Sequence, residues 1–172
     1  MDEKFIAGSN DASNRQSIDA GVDRAMSNLF GIVKGSRELV SKASGVLVFP
    51  NVIQAGFTVG GQYGEGALRV SDSTVGYYST TTVSPGLLTG AESTALFFLF
   101  MTHHALGRFR AEDYWPVGAD PSVALVKMDA NGAIDAAKAT AQVEVVVMSN
   151  GGMMADPSAL SLQSTKVVPL QV

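Results

Sequence analysis

The segment Gly45-Val-Leu-Val-Phe-Pro-Asn-Val-Ile-Gln-Ala-Gly-Phe-Thr-Val-Gly-Gly-Gln-Tyr-Gly-Glu-Gly-Ala-Leu-Arg-Val70 decides how this chain folds. It opens as a β-branched, aromatic strand, Val46-Leu-Val-Phe49, which Pro50-Asn51 is expected to end with a turn. From Val52 to Val70 a period of two resumes and predicts one long strand with a bend. Yet Gly56, Gly60, Gly61, Gly64 and Gly66 lie within it, and glycine weakens a strand. A phosphate cradle would need these glycines to lead into a helix N-terminus, whereas Ala67-Leu-Arg-Val70 continues as strand. A membrane-helix contact through Gly56, Gly60 and Gly64 needs an apolar span of about 20 residues, and Gln62, Glu65 and Arg69 interrupt it. Packing accounts for the alternation. Gly56, Thr58, Gly60, Gln62, Gly64 and Gly66 share one face, and Phe57, Val59 and Tyr63 share the other. A bared face lets a backbone or a ring lie directly on the strand, or lets the strand bend hard. Whether that face receives another part of the protein or a ligand stays open at this level.

N-terminal to this segment the pattern is helical. Residues 1–16 are polar and patternless and are expected to form a flexible tail. From Ser17, a plausible N-cap, Ile18, Val22, Ala25, Met26, Leu29 and Val33 recur at helical spacing. Gly35 breaks that helix, and Ser36 is expected to cap a short second one through Ala43, with Leu39, Val40 and Ala43 inward. C-terminal to the segment, strand chemistry returns in Thr74–Val83, Leu87–Met101, Ser122–Met128, Val143–Met148 and Leu160–Leu170, with a short helix over Thr102–Phe109. Ser71-Asp-Ser73 and Asp129-Ala-Asn-Gly132 read as turns. The order predicts an α+β fold, with N-terminal helices packed on a strongly curved, mostly antiparallel β-sheet or small barrel. No internal repeat or linker divides residues 17–172, which read as a single domain.

Composition narrows the function classes. Of 172 residues, 46% are hydrophobic and 16% charged, which suits a packed core and excludes disorder throughout. The net charge of -4 gives no general basic face for nucleic acid. The absence of cysteine excludes disulfides and Cys-ligated metals. Ala95-Leu-Phe-Phe-Leu-Phe-Met101 is too short to cross a bilayer as a helix and reads as core. The Ser/Thr run Ser79-Thr-Thr-Thr82 reads as a solvated sheet face, with a polar ligand surface as the alternative.

Catalytic chemistry has little to stand on. His103 and His104, the two histidines, are sequence neighbours that do not share a helix face, and no further zinc ligands accompany them. A nucleophile elbow is missing, and Glu65 and Glu92 form a carboxylate pair only if folding joins them. Asp129-Ala-Asn-Gly132 is a faint likeness of a calcium loop, without its closing Glu. The expectation is a protein without catalytic residues, metal or cofactor.

The combination of Val48-Phe-Pro50 with Ala55-Gly-Phe57 and Gly60-Gly61 resembles the hallmark segment of the SYLF domain family. The likeness continues through Gly76-Tyr-Tyr78, Leu96-Phe-Phe98, Trp115-x-Val-Gly118, Pro121-Ser-Val123 and Ser161-Leu-Gln163, and covers about Asn28 to the C-terminus. Gln54, Leu88, Glu92 and Ala155–Ala159 depart from the family's pattern. The resemblance implies a phospholipid-binding domain. Eukaryotic relatives bind phosphoinositides and join membranes to actin; this chain is similar to the stand-alone bacterial branch. Members of that branch are commonly exported and often lipid-anchored, which implies a periplasmic or outer-membrane-associated lipoprotein with its leader removed. The implied partner is a phospholipid membrane bound peripherally. The mildly basic stretch 14–43 supplies the expected contact. Arg24, Lys34, Arg37 and Lys42 would meet anionic lipid, and Met26, Leu29 and Phe30 would insert. The alternative is a structural or protein-interaction module of the envelope, docking an unknown partner through the bare glycine face or the Leu96–Met101 run.

Overall fold

The computed structural model describes residues 3–54, 61–83, 93–149 and 162–171, with side chains from residue 12 onward except Gln54 and Val83. Helices α1 (Glu3–Ile32) and α2 (Ser36–Lys42) precede β1 (Gly45–Gln54), β2 (Gly61–Val70), β3 (Ser73–Val83) and β4 (Thr94–Phe100). After α3 (His103–Ala111) come β5 (Trp115–Pro116), β6 (Val123–Leu125), β7 (Val143–Ser149) and β8 (Lys166–Pro169). The eight strands form one sheet in the order β5-β8-β3-β2-β1-β4-β7-β6. All pairings are antiparallel except β6 with β7. The fold is α+β, with the helices packed on a strongly curled, half-barrel sheet.

The curl follows from ring contacts. Trp115 on β5, the first strand in sheet order, lies 5.3 Å from Phe98 and 5.6 Å from Phe100 on β4, the sixth. In a flat sheet five strand spacings would hold them about 24 Å apart. The sheet therefore wraps around one of its two cores. That inner core joins Leu47, Phe49, Leu68, Phe98, Phe100 and Val145 to Leu106 and Phe109 of α3. The outer core joins Val46, Val48, Phe97, Leu99, Val146 and Met148 to Ile18, Val22, Leu29 and Leu39 of α1 and α2.

Strand β4 alternates between these cores and is buried throughout, so the Leu96–Phe100 run has to be apolar on both faces. Those five residues are core, which removes the run as a docking surface.

Five expectations need correction. Pro50 does not end β1. The register steps from Val48↔Ala67 to Ile53↔Tyr63, so five steps on β1 face four on β2, and a bulge carries the strand through Pro50. The strand expected over Val52–Val70 is two strands folded back on one another, β1 and β2. An unbroken period of two is equally satisfied by both arrangements. Ser17 lies inside α1 rather than capping it. Once the apolar half of a helix is docked, each added residue gains a backbone bond at little cost, and the polar stretch before Ser17 contains no proline to stop it. Ser36 does not cap α2. The left-handed Gly35 (φ 89°) holds that position, and the Ser36 hydroxyl donates to the Val33 and Leu29 carbonyls at 2.6 and 3.0 Å, finishing α1 instead. Among the described residues the final strand is also shorter than expected: of 162–170 it spans Lys166–Pro169, with the Leu170 N–H adding a bond to the Tyr77 carbonyl at 2.9 Å.

Glycines Gly64 and Gly66 act as the packing device expected of them. A Cβ on Gly66 would lie 2.0 Å from the Val48 carbonyl oxygen and 2.7 Å from the Phe49 ring; on Gly64 it would meet Val52 at 2.8 Å. The bared face is thus filled by β1 of the same chain. Gly56 and Gly60 lie outside the described residues, as do Leu88, Glu92 and Ala155–Ala159. The Ser71–Asp72 turn is as expected, with both residues left-handed (φ 52° and 66°), the form a two-residue hairpin needs.

Candidate functional site

Between α1 and α2 a groove of about 710 Å³ opens at the end of the sheet where β1 begins. One wall is the stripe Asp23, Met26, Ser27 and Phe30, spaced so that all four fall on one side of α1. The facing wall is Arg37, Val40 and Ser41 of α2, and Val46 lies at the base. The Arg37 guanidinium carbon sits 4.4 Å from the Phe30 ring centroid, a cation–π contact that bridges the two helices. Arg37 is exposed, and no carboxylate among the described residues pairs with it.

The opposite lip is fixed by a polar clamp. Arg69 of β2 donates to Asp23 (2.8 Å), to the Asp19 carbonyl (3.2 Å) and to Thr74 (2.8 Å). Thr74 and Tyr77 in turn donate to the two Asp19 carboxylate oxygens at 2.9 and 2.8 Å. Burial, then the Asp19 bond and its charge, pushes the Tyr77 phenol above its ordinary value, which keeps it a donor. Asp19 and Asp23 are one helical turn apart, so one arginine ties a full turn of α1 to the β2–β3 hairpin. Within the groove Asp23 and Arg69 neutralise each other. Arg37 and Asp72 remain, so the groove offers one available cation on the α2 wall and one carboxylate on the hairpin lip, beside an apolar wall.

Of the residues singled out by sequence, Met26, Phe30 and Arg37 come together in this groove. Arg24, Lys34 and Lys42 are exposed but do not line it. Arg24 is about 100° round the helix from Asp23. Lys34 follows the helix end, and Lys42 faces Glu38 at 3.9 Å. Leu29 requires correction. It is fully buried in the outer core, because its position falls on the stripe of Val22, Ala25 and Val33 rather than that of Met26 and Phe30.

Other candidates are also placed. His103 and His104 are exposed at the start of α3, where Thr102 caps the helix by accepting from the Ala105 N–H at 3.0 Å. Among the described residues no group of three metal-ligating side chains converges. The Asp129 carboxylate accepts the backbone N–H groups of Ala133 and Asn131, which hold its pKa low and make it a turn device. Glu65 accepts from the Tyr63 hydroxyl at 3.0 Å. Thr80 and Thr82 are buried rather than solvated, bonded to the Lys166 carbonyl and to Thr165, because β8 covers that face.

Sequence reading missed two features. Arg69 was visible as the sole basic residue between Ser44 and Met101, and that isolation was its signal. The second feature is a cavity of about 650 Å³ beneath α3, floored by Phe100, Phe109 and Trp115. There the Asp120 carboxylate accepts from Trp115 Nε1 (2.9 Å), Arg108 (3.1 Å), the Ser122 N–H (2.9 Å) and the Ser122 hydroxyl (2.6 Å). Burial alone would raise the Asp120 carboxyl, but these bonds and the Arg108 charge outweigh it and hold the pKa below its ordinary value. No protein-family model matches the chain, and no curated protein matches it. Among the described residues no helix is long and apolar enough to cross a membrane.

Proposed function

We propose that this is a non-catalytic phospholipid-binding protein of the bacterial cell envelope, which contacts anionic lipid peripherally through its N-terminal helical region. The single observation that carries the reading is Arg37. It is a charged group held by a ring at the mouth of a half-apolar groove, and no carboxylate among the described residues pairs with it. An amphiphile answers both halves of that surface, with its phosphate on Arg37 and its apolar part against Met26, Phe30 and Val40. The exposed Arg24, Lys34 and Lys42 add attraction to an anionic surface from around the groove, about 1 kcal/mol each at close approach. The resemblance of the Val48–Gly61 segment to the SYLF domain family points the same way and is the ground for the envelope location.

The test is co-flotation with vesicles of anionic or of neutral phospholipid. The protein is expected to float with anionic vesicles and to lose binding as salt rises. Equal and negligible binding to both ends the proposal.

A further inference from the structure

The cavity beneath α3 takes no part in the groove, and it has the make-up of a second binding site. Its volume of about 650 Å³ lies in the range of small-molecule pockets. One wall is the stripe Ala105, Arg108, Phe109 and Glu112, all on one side of α3 and its cap. The floor is apolar and rigid. Phe100, Phe109 and Trp115 are buried against one another with centroids 4.8 to 5.6 Å apart.

The polar groups sort into spent and unspent. Asp120 is saturated by four donors, so its role is to fix Trp115 and Arg108. Among the described residues Arg108 reaches Asp120 and Ser122 through Nη2 alone, which leaves Nε and Nη1 to donate to a ligand, and its side chain is 47% exposed. Glu112, four residues on, is exposed and makes no ion pair among the described residues. Residues four apart are neighbours on a helix surface. An unspent cation and an unspent anion therefore stand side by side above an apolar floor. A plain anion would meet Glu112 and a plain cation would meet Arg108; a ligand carrying both charges satisfies both.

We propose that this cavity binds a zwitterionic phosphate–ammonium group, with the phosphate on Arg108, the ammonium on Glu112 and adjoining carbon over the Trp115–Phe109 floor. The same chemistry occurs as a free phosphorylated amine and as the head of a zwitterionic phospholipid. This site is independent of the Arg37 groove and of the reading given to it.

Trp115 is the only tryptophan in the chain, so tryptophan fluorescence reports on this cavity alone. The full chain is titrated with phosphoethanolamine and phosphocholine, with inorganic phosphate and ethanolamine as single-charge controls, and with phosphatidylethanolamine vesicles. A saturable change is expected with the zwitterions and a weaker one with either control. Glu112→Gln touches no structural bond and should weaken zwitterion binding about tenfold, while leaving phosphate unchanged or tighter. Arg108→Lys should weaken both, and Arg37→Gln neither. A response to soluble heads assigns a free phosphorylated amine; a response to vesicles alone that Glu112→Gln diminishes assigns the lipid head. The proposal is overturned if neither arm gives a saturable change, or if Glu112→Gln leaves the response intact.

Discussion

Replacing Gly66 by alanine tests the strand packing on which the whole sheet rests. The added Cβ would lie 2.0 Å from the Val48 carbonyl oxygen, and contacts under 3.0 Å are essentially never made, so β1 and β2 must part locally by about 1.0 Å. That separation breaks one or two ladder bonds at about 1–3 kcal/mol each. Crowding against the Phe49 ring, 2.7 Å away, adds about 1–3 kcal/mol. The expected loss is about 2–9 kcal/mol, or a Tm lower by about 4–36 °C for a chain of this size. Two companion variants calibrate it. Gly64→Ala meets a movable Val52 methyl at 2.8 Å and backbone only at 3.3 Å, and should lose about 1–2 kcal/mol. Gly31→Ala meets nothing within 4 Å on the exposed side of α1 and should gain about 0.5–1 kcal/mol. Urea denaturation followed by circular dichroism measures all three. The reasoning is refuted if Gly66→Ala stays within about 0.5 kcal/mol of the parent protein, or if Gly31→Ala is equally damaging.

Two further expectations concern buried polar groups. Arg69→Met removes the clamp between α1 and the β2–β3 hairpin and should cost about 1–3 kcal/mol by urea denaturation, while Lys42→Met, at the exposed pair with Glu38, should cost under about 0.5 kcal/mol. Glu144 is 4% exposed and its Oε2 has no partner among the described residues, and burial pushes its pKa up. Between its ordinary and its raised value the folded state holds the extra proton, so stability falls as pH rises through that window and stays reduced above it. Glu144→Gln should therefore match the parent near pH 4 and exceed it near pH 8, by about 1–2 kcal/mol; equal stability at both pH values would contradict this.

Much of the fold was legible because its signals are local. The stripe Ile18, Val22, Ala25, Leu29 and Val33 marked one buried helix face, and the emptied side of Gly64 and Gly66 marked a close strand contact. The fold-back of β1 on β2 was not legible, since alternation carries no record of where a strand reverses. Nor was the passage of β1 through Pro50, which depends on a bulge absorbing one residue against both neighbouring strands. At the groove, Met26, Phe30 and Arg37 were picked from residue type and from near-correct positions for the end of α1 and for α2. Leu29 was picked with them because apolar character alone does not separate the core stripe from the next one round the helix. Arg69, Asp19 and Asp23 lie 46 to 50 positions apart in sequence, and only the packed sheet brings them together.

The most direct test of the lipid account places a reporter in the groove. In the double variant Phe30→Trp, Trp115→Phe the indole keeps its place under Arg37 and becomes the sole tryptophan, read by its own emission. Vesicles of anionic phospholipid with brominated acyl chains should quench it in proportion to binding, and neutral brominated vesicles should not. Adding Arg37→Gln should weaken the quenching about fivefold, the equivalent of about 1 kcal/mol. Vesicle binding without quenching would place the membrane against another surface and contradict the account.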